Sequence, residues 1–546
     1  MMRPESIWIN KYKNIEEERL LLTTQGFSLR PDLPRVKMKF PFDWEIDPFN
    51  DQNWRRQVHM FRMLDPLLWN AWEDINEQEK EYVINVVNDW LAWDNDRASS
   101  KSIKAHLAWR DHVVGVRLCK LSYLFQWCAP FINSELMREM IHRHAEFIVS
   151  KKKFVDNNHG IYDLHGVSSA IHSLGGKDCG RYIEFVDNNI EFLWEGQFTK
   201  SGMHKENSPG YHSLGLNLLE KFLESGFYQH YTFLFDIYDS AYNSFSLQQW
   251  PDGRALPLGD TDSKEKVKSG SLEKTKMGLF LNDGRLVYRY YYDGEVCQVV
   301  FNCSSYSNSH KHSDNLSILW SEKSDILIDG GKYRFDPGAF RDYFVSSYAH
   351  NVPVFHDSMS KKNIPFGYGN ALKDVGVFRG GFLASGSYRD EGRGADISRS
   401  VLFEESSGIF WVDVVEGSSK QFFSENFLFS NNCSTPESNF NSSSKCAEVS
   451  INSGTNLFLY VYDINKNNTP VKLSVASGLS GKIIRGWFSS AYGKKEPCLS
   501  VMSEQVDGKA VVALCKDRGI IVPEVELGDG FIVFTLKGKS YKVSIY

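Results

Sequence analysis

Residues 286–301 read LVYRYYYDGEVCQVVF, with two strand-like runs, Leu286–Tyr292 and Val296–Phe301, on either side of Asp293-Gly294. Asp and Gly both tolerate positive φ, so the pair suits the two-residue turn of an antiparallel hairpin. Further runs of this kind follow at Leu316–Trp320, Ile326–Ile328, Phe410–Val415, Leu457–Tyr462, Val511–Leu514 and Phe531–Leu536, separated by Ser/Asn-rich punctuation such as Ser430–Ser444. Many short strands parted by turns predict an antiparallel β-sandwich.

Upstream of residue 276 the apolar period is that of a helix. In Glu79–Trp93 the residues Tyr82, Val83, Val86, Val87, Trp90 and Leu91 fall on one stripe. Ser134–Val149 repeats the pattern with Ser134 as the expected N-cap. Leu107–Leu124, Tyr182–Trp194, Leu214–Leu223 and Tyr231–Phe245 read as further helices, which together predict an all-α domain of paired helices. The chain of 546 residues is too long for one core. Two domains are therefore expected: 1–275, ending in a Pro-, Gly- and charge-rich linker at 251–275, and 276–546.

Composition bounds the function. Lys and Arg number 62 against 68 Asp and Glu, so the net charge of 62 − 68 = −6 gives no global field for a nucleic acid or an anionic membrane. A polyanionic ligand would need local cations. Nine cysteines without a CxxC pair point to free thiols rather than a disulfide framework. The charged N-terminal stretch lacks the apolar core of a signal peptide, so a cytoplasmic location is expected, or a periplasmic or secreted one if a leader is missing from the sequence. Aromatic residues reach 14%, which fills cores and can furnish sugar-stacking surfaces.

Five short segments hold residues with chemical potential. Asn157-Asn158-His159-Gly160 reads by itself as a turn with a solvated His. Glu206-Asn-Ser-Pro-Gly-Tyr211-His212 reads as a helix start. If Ser309–Ser313 is extended, His310 and His312 share one face and Lys311 the other. Asp329 ends a strand before Gly330-Gly331, and His350 follows in SSYAHN. His312, Asp329 and His350 form an N₂O set of the kind zinc accepts. On spacing alone that reading stands beside ordinary surface histidines and a turn-capping Asp329.

The segments NNHG, ENSPGYH, LGDTD, SHKHSDNLSILW, ILIDGGKYRF and SSYAHN, in that order, resemble the heparinase II/III-type polysaccharide lyases, whose members act on heparan sulfate, hyaluronan or chondroitin, and alginate. The resemblance implies an incomplete (α/α) toroid followed by an antiparallel β-sandwich. It implies that Asn158 neutralises a uronate carboxylate, that His159 can act as base, that Tyr211 acts as acid and in some members as base, and that His310 is the second active-site His. It also implies Zn²⁺ on His312, Asp329 and His350 in a structural role, with His356 lying six residues beyond His350. Some members carry Glu three residues after the NNHG histidine; here Tyr162 stands there, which removes the basis for a dual-specificity role.

β-Elimination removes the C5 proton beside the carboxylate and expels the C4 oxygen, so it needs charge neutralisation, a base near working pH and an acid at the leaving oxygen. An anionic polysaccharide or oligosaccharide is therefore the expected partner. Arg254, Lys311, Arg334 and Arg341 are candidate carboxylate clamps, Tyr333 and Tyr348 candidate stacking platforms, and Glu206 a supporting residue of the substrate-binding set. The expected activity is lyase cleavage of a uronic-acid glycan of glycosaminoglycan, alginate or bacterial exopolysaccharide type. A toroid glycoside hydrolase using Glu206, Asp260 and Asp262, and an inactive zinc-stabilised glycan-binding protein, are the alternatives. Oligomeric state is not legible.

Overall fold

The computed structural model describes residues 12–30, 32–69, 72–98, 107–110, 112–128, 131–151, 153–176, 178–263, 276–356, 368–436, 445–452, 454–518 and 523–545. Contacts divide the chain into two compact units, Met1–Gln197 with Gly215–Tyr238, and Phe198–Leu214 with Asp239–Tyr546.

The first unit is helical. Ile15–Gln25, Gln52–His59, Glu77–Ala98, His112–Cys128, Ser134–Val149, Asn158–Leu174 and Gly180–Gln197 follow one another, with short connections from His112 onward. Asn133, not Ser134, caps its helix, accepting bonds from the Glu135 and Leu136 amides at 3.1 Å. The NNHG segment also begins a helix rather than forming a free turn: Asn157 is the N-cap and accepts from the His159 amide at 2.9 Å. His112–Cys128 and Asn158–Leu174 approach backbone to backbone at Gly115 and Gly166. A Cβ on Gly166 would lie 2.6 Å from the Gly115 carbonyl oxygen, so any larger residue forces these helices apart. Val113 through Leu124 are buried all round, with Arg117 and Lys120 among them. Arg117 donates to the His59 and Ala108 carbonyls at 2.7 Å and lies over the Trp90 ring, so it meets the desolvation of its charge with neutral acceptors and a π face.

The second unit is a sandwich. One sheet runs, in spatial order, Gly278–Asn282, Arg285–Tyr292, Glu295–Asn302, Ser317–Glu322, Ser324–Leu327, Phe422–Phe429, Leu499–Ser503 and Leu473–Ser477. Asp293 and Gly294 turn its second hairpin with φ of 51° and 82°, as the sequence predicts, and Asp283-Gly284 turn the first in the same way. The other sheet contains Ala447–Ile451, Asn456–Asp463, Lys509–Cys515, Gly408–Gly417, Ala395–Glu404, Gly381–Asp390 and Leu372–Phe378. Among the described residues the strands of both sheets pair antiparallel.

Alternation decides what each face meets. Val299, Ile318 and Trp320 from one sheet pack with Phe382, Val401, Phe403 and Trp411 from the other. The opposite side of the second sheet, with Leu402, Phe410, Val412 and Val414, is covered by Ile532, Phe534, Leu536 and Val543 of a three-stranded sheet. Val287, Val300 and Leu319, on the outer face of the first sheet, are covered by Leu247, Trp250, Leu256 and Leu258. Part of the expected linker is thus built into the sandwich: residues 255–261 are buried, because Leu256 and Leu258 point apolar side chains onto that face. The remainder, 264–275, lies outside the described residues. The aromatic excess goes mainly to these interiors, with Trp44, Trp54, Trp90, Trp194, Trp320 and Trp411 all fully buried.

Candidate active site and metal centre

Three loops of the second unit are tied together by hydrogen bonds to one another's backbone before any reactive side chain is placed. At the start of Pro209–Glu224, the Ser208 hydroxyl accepts from the Tyr211 amide at 3.3 Å, and Thr261 accepts from the Gly210 amide at 3.0 Å. Asn207, at φ 63°, donates to the Ser307 and Ser309 carbonyls and accepts from the Tyr306 amide at 2.9 Å. Gly259 has φ +55°, and a Cβ there would sit 2.5 Å from the His310 carbonyl oxygen; the neighbouring Asp260 amide donates to that same oxygen at 3.1 Å. ENSPGYH, LGDTD and SHKHSD are therefore one assembly.

Within it, the Tyr211 and His310 rings stack at 3.5 Å with 17° between their planes. His310 Nε2 lies 3.8 Å from a Glu206 carboxylate oxygen. The segment Ser309–Ser313 is not a strand: His310 has φ 55°, in a turn. Both histidines nevertheless converge, because each reaches the same carboxylate. His310 Nδ1 donates to Asp260 Oδ2 at 2.9 Å and His312 Nε2 to Oδ1 at 3.0 Å, while Arg341 adds bonds of 2.6 Å to Oδ1 and 3.0 Å to Oδ2.

Burial pushes the Asp260 carboxyl up, but the bonds from His310, His312 and Arg341 outweigh it and hold the group well below the ordinary carboxylate range. Burial, reinforced by the charges of Asp260 and Glu206, pushes the Tyr211 phenol above its ordinary value. The local field thus disfavours a Tyr211 phenolate. The phenol is therefore held in its protonated form.

Behind this pair lies the N₂O cluster. One ligand atom from each of His312, Asp329 and His350 falls within 4.8 Å of the others, and all three residues are buried. Among the described residues, His312 Nδ1 and His350 Nε2 have no hydrogen-bond partner. Two unpartnered ring nitrogens beside a carboxylate fit a divalent cation, since burying such atoms without a partner is costly. Asp329 also satisfies the turn reading, accepting from the Gly331 amide at 3.0 Å through Oδ1, while Oδ2 accepts from His350 Nδ1 at 2.8 Å. His356 is engaged elsewhere, with Ser424 at 2.8 Å. Asn351 pegs the segment in place, donating to the Ile318 and Ile328 carbonyls at 2.8 Å.

The remaining candidates separate. Asn158 and His159 belong to the first unit, where His159 stacks on His112 at 4.3 Å. Tyr162 is packed against Met60, Val113 and Val116. Arg254 pairs with Asp325 at 2.9 Å and with Asp252 at 2.5 Å and lines a cavity of about 450 Å³ together with Lys323 and Glu496; neither Tyr211 nor His310 lines that cavity. Lys311 is buried against Asp314. Arg341 clamps the protein's own Asp260 rather than presenting an empty fork. Tyr333, stacked on Phe344, and Tyr348 are 8% and 9% exposed and belong to an apolar cluster with Tyr343 and Ala349.

Sequence reading weighed Asp260 only as a hydrolytic acid. It also passed over Phe335 and Tyr492, which are 46% and 50% exposed with ring centroids 5.9 Å apart. Phe335 stands edge-on to His310 at 6.0 Å, and Lys332 Nζ lies 5.8 Å from its ring centroid. The signal available in sequence was position: Phe335 follows IDGGKYR directly.

No curated protein sequence matches the chain. Among solved structures, heparinase III (BT4657 gene product) has 16% identity and a TM-score of 0.70, with 98% of this chain and 91% of that chain covered. Heparan sulfate lyase HepC from Pedobacter heparinus has 14% identity and a TM-score of 0.67, with 98% and 89% covered. A further heparinase III has 12% identity and a TM-score of 0.71, with 99% and 92% covered. This likeness spans the helical and β parts alike, so the incomplete (α/α) toroid followed by an antiparallel sandwich is the fold of this chain. Among the described residues no helix is long and apolar enough to cross a membrane. Residues 10–231 match the family description Heparinase II/III N-terminus and residues 276–514 match Heparinase II/III-like, C-terminal. The chain belongs to the heparinase II/III family of polysaccharide lyases.

Proposed function

We propose that the protein cleaves a uronic-acid-containing glycosaminoglycan of heparan sulfate type by β-elimination, leaving a 4,5-unsaturated uronate. The observation that carries the reading is the Tyr211–His310 stack, with His310 Nδ1 committed to Asp260. His310 Nε2 takes the C5 proton. The electron pair of that C–H bond becomes the C4–C5 double bond, the C4–O bond breaks, and Tyr211 gives its proton to the departing oxygen. Burial and the neighbouring carboxylates keep the phenol protonated, so its proton is in place when charge develops on the departing oxygen. Asn158 and His159, in roles taken from the family resemblance, bind and neutralise the uronate carboxylate as charge develops on it. Phe335 and Tyr492 offer exposed ring faces for a sugar and Lys332, itself paired with Asp262 at 3.1 Å, a nearby cation, with Glu206 supporting His310.

Zn²⁺ on His312, Asp329 and His350 would supply structural cross-linking of three loops. The elimination itself needs only the side chains named above. The hydrolase alternative requires two carboxylates facing the scissile bond. Asp260 is a poor member of such a pair, because four donor contacts occupy it.

The test is a panel of heparan sulfate, heparin, hyaluronan, chondroitin sulfate and alginate, followed by the ultraviolet absorbance of the unsaturated product. A rise with heparan sulfate is expected. New reducing ends without the chromophore would establish hydrolysis instead, and binding without either product would establish an inactive glycan-binding protein.

A further inference from the structure

We propose that Asp260 is a positioning residue that sets complementary tautomers in His310 and His312, and so couples the metal centre to proton transfer. The second half rests on reading His310 as the base; the first half does not. An ionised carboxylate is acceptor-only, with about four lone-pair sites. Here Oδ1 takes His312 Nε2 and Arg341, and Oδ2 takes His310 Nδ1 and Arg341, so every site is filled. Each ring nitrogen that faces Asp260 must therefore carry its hydrogen.

The consequences for the two rings are opposite. His310, protonated on Nδ1, keeps the Nε2 lone pair on its outer side, towards Glu206. His312, protonated on Nε2, keeps the Nδ1 lone pair, and that atom is buried in the cluster with Asp329 and His350 without a hydrogen-bond partner among the described residues. One carboxylate thus leaves one imidazole ready to accept a proton and the other ready to ligate a cation. Arg341 supplies the countercharge, and the Asp260 amide bond to the His310 carbonyl fixes the distance between them. A metal held by His312 would in turn keep that ring on Oδ1.

The diagnostic variant is Asp260→Asn. An amide keeps the shape but replaces one acceptor by an NH₂ donor and removes the negative charge, so it cannot hold both rings in these tautomers, and the bond to the ring that stays in place is weakened as well. Zn²⁺ affinity, measured on the chelator-stripped protein by competition titration, is expected to fall about 10–100-fold, the usual loss when an outer-shell partner of a metal ligand is removed. The kcat should fall about 10²–10⁴-fold with KM nearly unchanged. In the wild-type protein with ¹⁵N-labelled histidine, NMR should show His310 protonated at Nδ1 and His312 at Nε2. That measurement stands even if the variant does not fold. His310 carrying its hydrogen on Nε2, or a folded variant with metal affinity and kcat both within about threefold of wild type, overturns the proposal. If wild type forms no unsaturated product on any glycan, the lyase reading fails separately, while the tautomers and metal affinity still decide the role of Asp260.

Discussion

Gly259→Ala tests the assembly of the site more sharply than removing a reactive side chain. The added Cβ would lie 2.5 Å from the His310 carbonyl oxygen, where ordinary contact begins at 3.4 Å, so the two segments must separate by about 3.4 − 2.5 = 0.9 Å. Both partners in that contact are backbone, so no rotamer change relieves it. At φ +55° alanine also pays a conformational penalty of about 1–2 kcal/mol. Losing the 3.1 Å bond from the Asp260 amide to His310 adds about 0.5–1.5 kcal/mol. The expected destabilisation is about 1.5–3.5 kcal/mol, a Tm loss on the order of 5 °C by differential scanning calorimetry. Activity should suffer more: a displacement near 1 Å at a reacting group costs about 10²-fold in kcat. Gly294→Ala is the control. It has a similar left-handed φ of +82°, but nothing lies within 4 Å of its Cβ, so it should lower stability and leave kcat unchanged. A folded Gly259→Ala protein with kcat within about threefold of wild type would refute the argument that the 259–310 contact positions His310.

Other outcomes follow from the same geometry. Tyr211→Phe should lower kcat at least 10²-fold in the ultraviolet assay while glycan binding by calorimetry stays near wild type; normal turnover excludes Tyr211 as the acid. Chelation should remove about one equivalent of Zn²⁺ from wild type and lower its Tm, and His350→Ala should have neither the metal nor the chelator response. At a free metal concentration 100-fold above Kd, linkage predicts a loss of about 2.7 kcal/mol, and a wild-type Tm unmoved by chelator rejects a stabilising ion. Phe335→Ala, at an exposed position, should change stability by no more than about 0.5 kcal/mol yet raise KM several-fold; an unchanged KM would remove the ring from the substrate surface.

The sequence carried the local devices of this fold well. Asp293-Gly294 specified a turn through its own φ preferences, and helical stripes located Glu77–Ala98 and Gly180–Gln197 because burial of one face has a 3.6-residue period. The metal trio came from the family resemblance, because spacing alone left ordinary histidines and a turn-capping Asp329 as alternatives; the fold gathers the three residues. What escaped was convergence over distance. Asp260 and His310 are fifty residues apart, and only the fold brings one carboxylate to two imidazoles. Residues 251–263 looked like a tether because Pro, Gly and charge mark breaks, whereas Leu256 and Leu258 answer an outer sheet face that local pattern cannot reveal. Tyr333 and Tyr348 illustrate the same limit: ring chemistry is visible in sequence, but exposure is a property of neighbours.

The sheet that contains Gly408–Gly417 has apolar neighbours on both sides, the main sandwich core on one and the three-stranded sheet on the other. Its middle strand also carries Asp413 in a fully buried ion pair with Arg399. Such a strand has no watered face on which a substitution passes unnoticed. Substitutions that this half of the molecule tolerates are therefore confined to its turns and loops, outside the layer that holds the half together.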